Sequence, residues 1–383
     1  MNKERIFLLS WEFPGYNTRG GTALSKRAGI LYKGLTELGY NVVVITRNHN
    51  DKDVLVNGSV YCLPGPGIHP KGRNSIIRRI ETLFLSFNLG DRSGRWGLKA
   101  YRFLSEKFSL NSDDVVISFF TPRGTVLAGY LIARRYNIRW IVDFQDTFDE
   151  GLSHYLIQIG KWWFKRKISL AHKCIHVSPE WASRDGVMLN KSFVTLRHCL
   201  PKSQDIIPGN NNTDDEISVF YFGSIDVNKQ FHSFFFDAIQ EIKKCKLYYA
   251  GDGSINEFFN SKLGNTNYQF LGWLNPKDLR VQMQQMTFVI IFSYTLSSRM
   301  VVPSKLYEVI SWNLPCVIVG EDSGGIRSLE KEFGFSFVKA RTAHELKEIL
   351  VNPAKYGNPD YSVFASLSEE NFISRYIEIF RHE

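Results

Sequence analysis

The chain alternates short, almost unbroken apolar runs with longer segments whose apolar residues recur at helical spacing. In the first half the runs are RIFLLS (5–10), NVVVIT (41–46), DVVISFF (114–120), RWIVDF (139–144) and KCIHVS (173–178). In the second half ISVFYFG (217–223), CKLYYAG (245–251), TFVIIFS (287–293) and PCVIVG (315–320) keep the same rhythm. Runs without polar alternation are strands buried on both faces. Helix-patterned stretches between them, such as 21–38 and 124–136, predict parallel, doubly wound α/β sheets. The segment PKSQDIIPGNNNTDDE (201–216) is polar and rich in turn formers, so the linker is placed there. The expectation is a Rossmann-like domain over 1–200, the linker, and a second such domain over 217–360, each of ordinary size. The tail 361–383 closes the chain; SEENFISRYIEIFRHE (368–383) sets Phe372, Tyr376, Ile379 and Phe380 on one helix side, and this helix is expected to cross back to the first domain. In such sheets ligands lie outside the carboxyl ends of the strands, and two such domains can face each other across a cleft.

Composition narrows this picture. At 383 residues the chain exceeds one ordinary core, and 44% hydrophobic with 22% charged residues excludes disorder as the default. The five cysteines are scattered and lack C-x-x-C spacing, which suggests neither a disulfide framework nor a zinc site and fits a reducing cytoplasm. The start, MNKERIFLLSWEFPG, reads as a first strand rather than a signal peptide, because Glu4 and Pro14 interrupt it and no small-residue cleavage site follows. No apolar run approaches the ~18 residues of a spanning helix. The net charge of +9 favours anionic partners: nucleotides, acidic lipid headgroups or nucleic acid. Nucleic acid ranks last, since the basic residues are not gathered on any recognisable reading module.

Two stretches combine aromatic and basic residues, 75–107 and HYLIQIGKWWFKRK (154–167). If helical, the latter places Trp162, Trp163 and Phe164 beside Lys161, Lys165, Arg166 and Lys167, the makeup of a helix lying in a membrane interface. A core helix with a solvated basic face is the competing reading.

The stretch VPSKLYEVISWNLPCVI (302–318) poses a sharper question. Leu306, Val309 and Ile310 define a buried helix face, while Lys305, Glu308 and Trp312 form a separate stripe. Lys305 falls in the first helical turn, where the dipole disfavours a cation. An intrahelical ion pair with Glu308 contributes only ~0.2–0.5 kcal/mol, and lysine before glutamate is the weaker order. A phosphate at the helix N-terminus, where free N–H groups favour an anion, turns the lysine into an asset. Glu308, one turn deeper, is then placed to accept from sugar hydroxyls, and Arg299 upstream supplies a second cation.

This stretch resembles the donor-binding helix and following strand of family 4 glycosyltransferases, a retaining group with the GT-B fold, two Rossmann-like domains facing across a cleft. Further pieces agree in order. YFGSIDVNKQ (221–230) resembles the first strand and phosphate-facing loop of the family's second domain, YYAGDGS (248–254) the second strand and its glycine turn, and FLGWLNPKDL (270–279) the loop framing the base and the helix after it. EDSGGI (321–326) falls where a glycine-rich turn opens the next helix, and FPGYNTRGGTALSKRAGIL (13–31) resembles the glycine-containing loop running into the first long helix. VDFQDTF (142–148) resembles the D-F-R-D-P-W motif of a subgroup of bacterial polysaccharide transferases, with Gln145 in place of the arginine.

The resemblance implies donor contacts from Gly223, Lys229, Gly251, Gly272, Trp273, Ser304, Lys305 and Glu308, with Lys305 and Arg299 on the diphosphate. It implies that Gly20 and Gly21 let the backbone approach donor phosphate or acceptor; after a buried strand, at least one of Asp143 and Asp146, with Asp146 ahead, is expected in the cleft to activate or position an acceptor hydroxyl. Both aspartates also suit a helix cap at a strand end. Three features depart from the family: Met300 stands where the E-x7-E pattern has its first glutamate, SFFTPRG (118–124) lacks the histidine many members carry there, and Gln145 breaks the subgroup motif. His172, His176 and His198 lie on separate elements, which favours structural roles over a metal cluster.

The function implied is retaining transfer of a sugar from a nucleotide-diphosphate sugar, UDP ahead of GDP on family frequency, to a hydroxyl of a saccharide. The acceptor is expected to be lipid-linked, at the inner face of the cell membrane, in surface polysaccharide synthesis, with peripheral contact to anionic lipid. No metal, no other cofactor and no nucleic acid is called for. Two alternatives remain: a non-hydrolysing nucleotide-sugar epimerase of the same fold, and a degenerate GT-B scaffold subunit.

Overall fold

The computed structural model describes residues 4–14, 23–48, 54–65, 83–149, 152, 156–202, 216–224, 232–293, 300, 302–321, 324–357 and 359–381. Expected site residues Gly20, Gly21, Lys229 and Arg299, and most of the expected linker, lie outside them. The chain forms two compact units, residues 1–198 with 369–383, and residues 199–368.

The first unit contains β1 (Arg5–Leu9), β2 (Asn41–Asn48), β3 (Leu55–Asn57), β4 (Val60–Pro64), β5 (Val115–Phe120), β6 (Arg139–Phe144), β7 (Lys173–His176) and β8 (Phe193–Thr195). They form one sheet in the order β3-β4-β2-β1-β5-β6-β7-β8, parallel except that β3 runs against β4. Its helices are α1 (Ala23–Glu37), α2 (Gly94–Lys107), α3 (Arg123–Tyr136), α4 (Ile157–Ile168) and α5 (Pro179–Leu189). Local chemistry fixes several ends. Ser178 accepts the amide of Trp181 at the start of α5 with proline at the first helical position, and Asn137 and Asn190 adopt left-handed conformations that stop α3 and α5.

The second unit contains β9 (Ile217–Phe222), β10 (Cys245–Ala250), β11 (Tyr268–Gly272), β12 (Phe288–Phe292), β13 (Cys316–Val319) and β14 (Lys339–Ala340), ordered β11-β10-β9-β12-β13-β14 and wholly parallel. That is the doubly wound order with its switch point between β9 and β12. Helices α6 (Phe234–Glu241), α7 (Gly253–Asn267), α8 (Pro276–Gln284), α9 (Ser304–Ser311), α10 (Gly324–Phe333), α11 (Ala343–Leu350) and α12 (Pro353–Tyr356) cover it. The unbroken apolar runs find their reason here. Val219 and Tyr221 of β9 enter one core with Phe288, Ile290 and Phe292 of β12, while Phe220 and Phe222 enter another with Val289 and Ile291. Each strand therefore buries both faces under helices, and a polar residue has no dry place to alternate.

The last helix, α13 (Glu369–Arg381), packs on α1 in the first unit and buries Phe372, Tyr376, Ile379 and Phe380. The approach is close: a Cβ at Gly34 of α1 would meet Ile373 Cδ1 at 2.0 Å, so a larger residue would have to displace that side chain. Beside β7, His176 is fully buried among Phe144, Trp181 and Phe193, its Nε2 3.7 Å from Asp185 Oδ2, and neither ring nitrogen has a hydrogen-bond partner among the described residues. Burial pushes its pKa below the ordinary histidine value, outweighing the smaller pull of Asp185. The unfolded state then binds the extra proton first. Stability from a neutral His176 is full above the unfolded pKa of about 6.5 and is lost as pH falls toward the folded value. Urea midpoints should accordingly drop from pH ~7.5 to ~5.5 in wild type, and His176→Phe should flatten that slope. An equal slope in the variant would assign the acid sensitivity elsewhere.

Candidate active site

At the carboxyl edge of the second sheet, three glycines let neighbouring strand ends lock together. Gly223, just past β9, has φ +80° and donates its amide to Ala250 O at 2.7 Å. Gly251, past β10, donates to Gly272 O at 3.0 Å, and a Cβ there would meet Gly223 O at 2.5 Å. Gly272 closes β11 with φ +72°. Tyr249 ties the turn from below, its hydroxyl donating to Gly223 O at 2.9 Å. A side chain at any of these positions would lift the backbone away from the sheet edge or strain it.

Lys305 reaches this same edge from the first turn of α9, a helix that follows Pro303 and has no side-chain cap. Its Nζ donates to Tyr221 OH at 3.0 Å and to Ser224 O at 2.7 Å, and Tyr221 OH donates onward to Ser224 O at 2.8 Å. Tyr221 is almost fully buried, stacked on Tyr249 and edge-on to Phe292, so it is a rigid rest for the ammonium. Gly223 makes room for the lysine stem, since a Cβ there would lie 2.8 Å from Lys305 Cε. The cation thus sits beside the end of β9, at the switch point. Ser304 and Glu308 share α9 and are partly buried, whereas Trp273 after β11 is 52% exposed.

Three further residues at this edge carry no signal in the sequence. Tyr221 looked like one more apolar strand residue, and its hydroxyl role is invisible to periodicity. His232 and Ser293 are the others: His232 Nε2 lies 3.5 Å from Ser293 O, and Ser293 Oγ donates to Glu321 O at 2.6 Å. Gly320, with φ +117° after β13, is the only residue type that fits under the imidazole, as a Cβ would fall 2.1 Å from His232 Nε2. Burial lowers the His232 pKa, opposed by the Ser293 carbonyl and by Glu321. The net effect favours the neutral imidazole at the ends of β12 and β13.

In the first unit Asp143 does not front a loop or cap a helix. It lies inside β6, fully buried, with Oδ2 accepting from Arg27 Nε at 2.6 Å and from the hydroxyl of Tyr376. Arg27 also donates to Arg197 O at 2.9 Å and Leu196 O at 3.0 Å, and its guanidinium lies over Phe372, 4.7 Å from the ring centre. The expected loop residue is instead the centre of a clamp joining α1, β6 and α13. Asp146, three residues on and partly buried, follows the end of β6 beside buried Gln145, whose side-chain amide has no hydrogen-bond partner among the described residues. Among the described residues no group of three His, Cys, Asp or Glu is arranged to hold a metal ion, and none of the described helices is long and apolar enough to cross a membrane.

Two doubly wound sheets of eight and six strands define a GT-B protein. Solved structures agree over nearly the whole chain: a sucrose-phosphate synthase from Thermosynechococcus elongatus (TM-score 0.68, 15% identity, 99% of this chain and 98% of that one), the lipopolysaccharide outer core galactosyltransferase WaaB in its apo form (0.60, 13%, 98% and 98%), and Anabaena Alr3699/HepE in complex with UDP-glucose (0.59, 12%, 98% and 98%). At such identities the likeness concerns the fold. Residues 216–352 match the family model Glycosyl transferases group 1. No curated protein matches the sequence.

Proposed function

We propose that the chain transfers a sugar from a nucleotide-diphosphate sugar to a hydroxyl of a saccharide acceptor, with retention of configuration. The observation that carries this is Lys305, a cation fixed on Tyr221 and Ser224 at the switch point, beside glycine turns that leave the backbone open to a diphosphate. As the donor bond breaks, negative charge gathers on the leaving diphosphate, and a preorganised ammonium with helix N-terminal amides stabilises it. Ser304 lends its position at the helix start, Glu308 accepts from the ribose hydroxyls, and Gly223, Gly251 and Gly272 shape the floor under the nucleotide. Lys229 and Arg299 are further cations for the diphosphate, and Trp273 borders the base. Gly20 and Gly21 remain candidates for phosphate or acceptor contact, and Asp146 is the candidate to position the acceptor hydroxyl.

UDP is the preferred carrier, consistent with the UDP-glucose in the Anabaena neighbour, and no metal or other cofactor is required. The acceptor is lipid-linked, in surface polysaccharide synthesis on the inner face of the membrane. Incubation with UDP-sugars and a membrane-lipid acceptor extract, followed by separation of products, tests the reaction class. Free UDP with labelled sugar in the lipid fraction is the expected result. An isomerised UDP-sugar would make it an epimerase, and unchanged donors that nevertheless bind would make it a scaffold.

A further inference from the structure

The two aromatic and basic stretches of the first unit come together in space. Residues 83–88 are helical, with Leu85 and Ser86 buried and Leu83, Phe84 and Phe87 exposed; Phe84 is 65% exposed. Helix α4 divides its own aromatics: Gly160, Trp163, Phe164 and Ile168 face the core, while Trp162, Lys165, Arg166 and Ser169 form an outward stripe at i, i+3, i+4 and i+7. Phe87 and Trp162 join the two elements, ring centres 6.1 Å apart, and the Arg166 guanidinium lies 5.6 Å from the Trp162 ring centre. The result is an exposed patch of Leu83, Phe84, Phe87 and Trp162 beside Lys165 and Arg166.

We propose that this patch docks the first unit on an anionic lipid bilayer. It deepens the proposed function by naming the surface that would bring the enzyme to a lipid-linked acceptor, and it rests on that reading only for its purpose. Scattered exposed apolar residues need no explanation, but tryptophan and phenylalanines gathered beside basic side chains match the headgroup boundary, where rings enter and cations meet phosphates. Neither 83–88 nor α4 carries an acidic residue, and α4 carries four basic ones. That charge argues against a second copy as the occupant, because facing patches would set Lys165 and Arg166 against the same pair. Lys167 is not part of the surface charge; it lies 4.1 Å from the Tyr130 ring centre, and burial lowers its pKa.

The test is co-sedimentation of the full chain with vesicles of phosphatidylglycerol and phosphatidylethanolamine, and with phosphatidylcholine vesicles as the uncharged comparison. Wild type should bind the anionic vesicles, more weakly as salt rises. Lys165→Ala/Arg166→Ala should weaken binding roughly twenty-fivefold, at about fivefold for each cation near an anionic surface. Phe84→Ser/Trp162→Ser should weaken it by at least about tenfold through lost insertion. The lysine–arginine pair is exposed, so that variant tests the proposal even if the aromatic one misfolds. Equal binding by wild type and the charge variant, no binding by wild type, or a dimer that the aromatic variant dissociates would each overturn it. Stabilisation by UDP, measured in the same samples, reports separately on the donor site, so loss of one reading is distinguishable from loss of the other.

Discussion

Lys305→Ala should lower kcat by about 10²–10³-fold, the usual cost of removing one preorganised donor from a developing negative charge. The fold should survive. Lys305 is a part-exposed residue whose removal leaves the Tyr221 hydroxyl still donating to Ser224 O, so the stability loss should stay within about 1 kcal/mol. Lys305→Arg should not rescue fully, because a planar guanidinium does not reproduce the compact ammonium's contacts to Tyr221 OH and Ser224 O. Initial rates of UDP release with saturating donor and thermal unfolding of the same preparations check both halves. A near-wild-type rate in Lys305→Ala would place the diphosphate elsewhere.

The largest stability effect should come from the first unit. Arg27→Met leaves Asp143 fully buried and deprived of its ion pair, which should cost about 3–5 kcal/mol. Tyr376→Phe removes one hydrogen bond to the same oxygen and should cost about 1–3 kcal/mol. The pair Arg27→Met/Asp143→Leu should recover much of the loss, since apolar replacement of both charges removes their desolvation penalty. Urea unfolding of the three variants gives the comparison. If Arg27→Met cost under about 1 kcal/mol, the clamp between α1, β6 and α13 would not be holding the last helix.

Much of the architecture was legible because buried parallel strands carry no alternation to misread. All nine apolar runs became strands, each trimmed by a residue or two at most except NVVVIT, which extends to Asn48. The strands that went unnoticed, β3, β4, β8, β11 and β14, are short, and most lie toward sheet edges where one face or one neighbour is missing and polar residues intrude. The resemblance of FLGWLNPKDL (270–279) implies a loop and a helix there, yet Tyr268–Gly272 pairs with β10 up to the glycine itself. Lys305 stood out because it opposes the helix dipole, a local conflict that propensity cannot explain. Tyr221, His232 and Ser293 conform to every local rule, so only their placement at the strand ends reveals them. Asp143 shows the opposite error: a motif resemblance suggested a site residue, and its partners, 116 and 233 residues away in sequence, make it a clamp.

The central claim, that a nucleotide diphosphate rests on α9 and the end of β9, is tested most directly by thermal unfolding of wild type and Glu308→Ala with UDP, with GDP and without nucleotide. UDP at about 100 times its dissociation constant should add about 2.7 kcal/mol, a rise of several degrees, and Glu308→Ala should lose most of it while melting normally without ligand. A UDP shift unchanged in Glu308→Ala, or no shift with either nucleotide, would contradict the account.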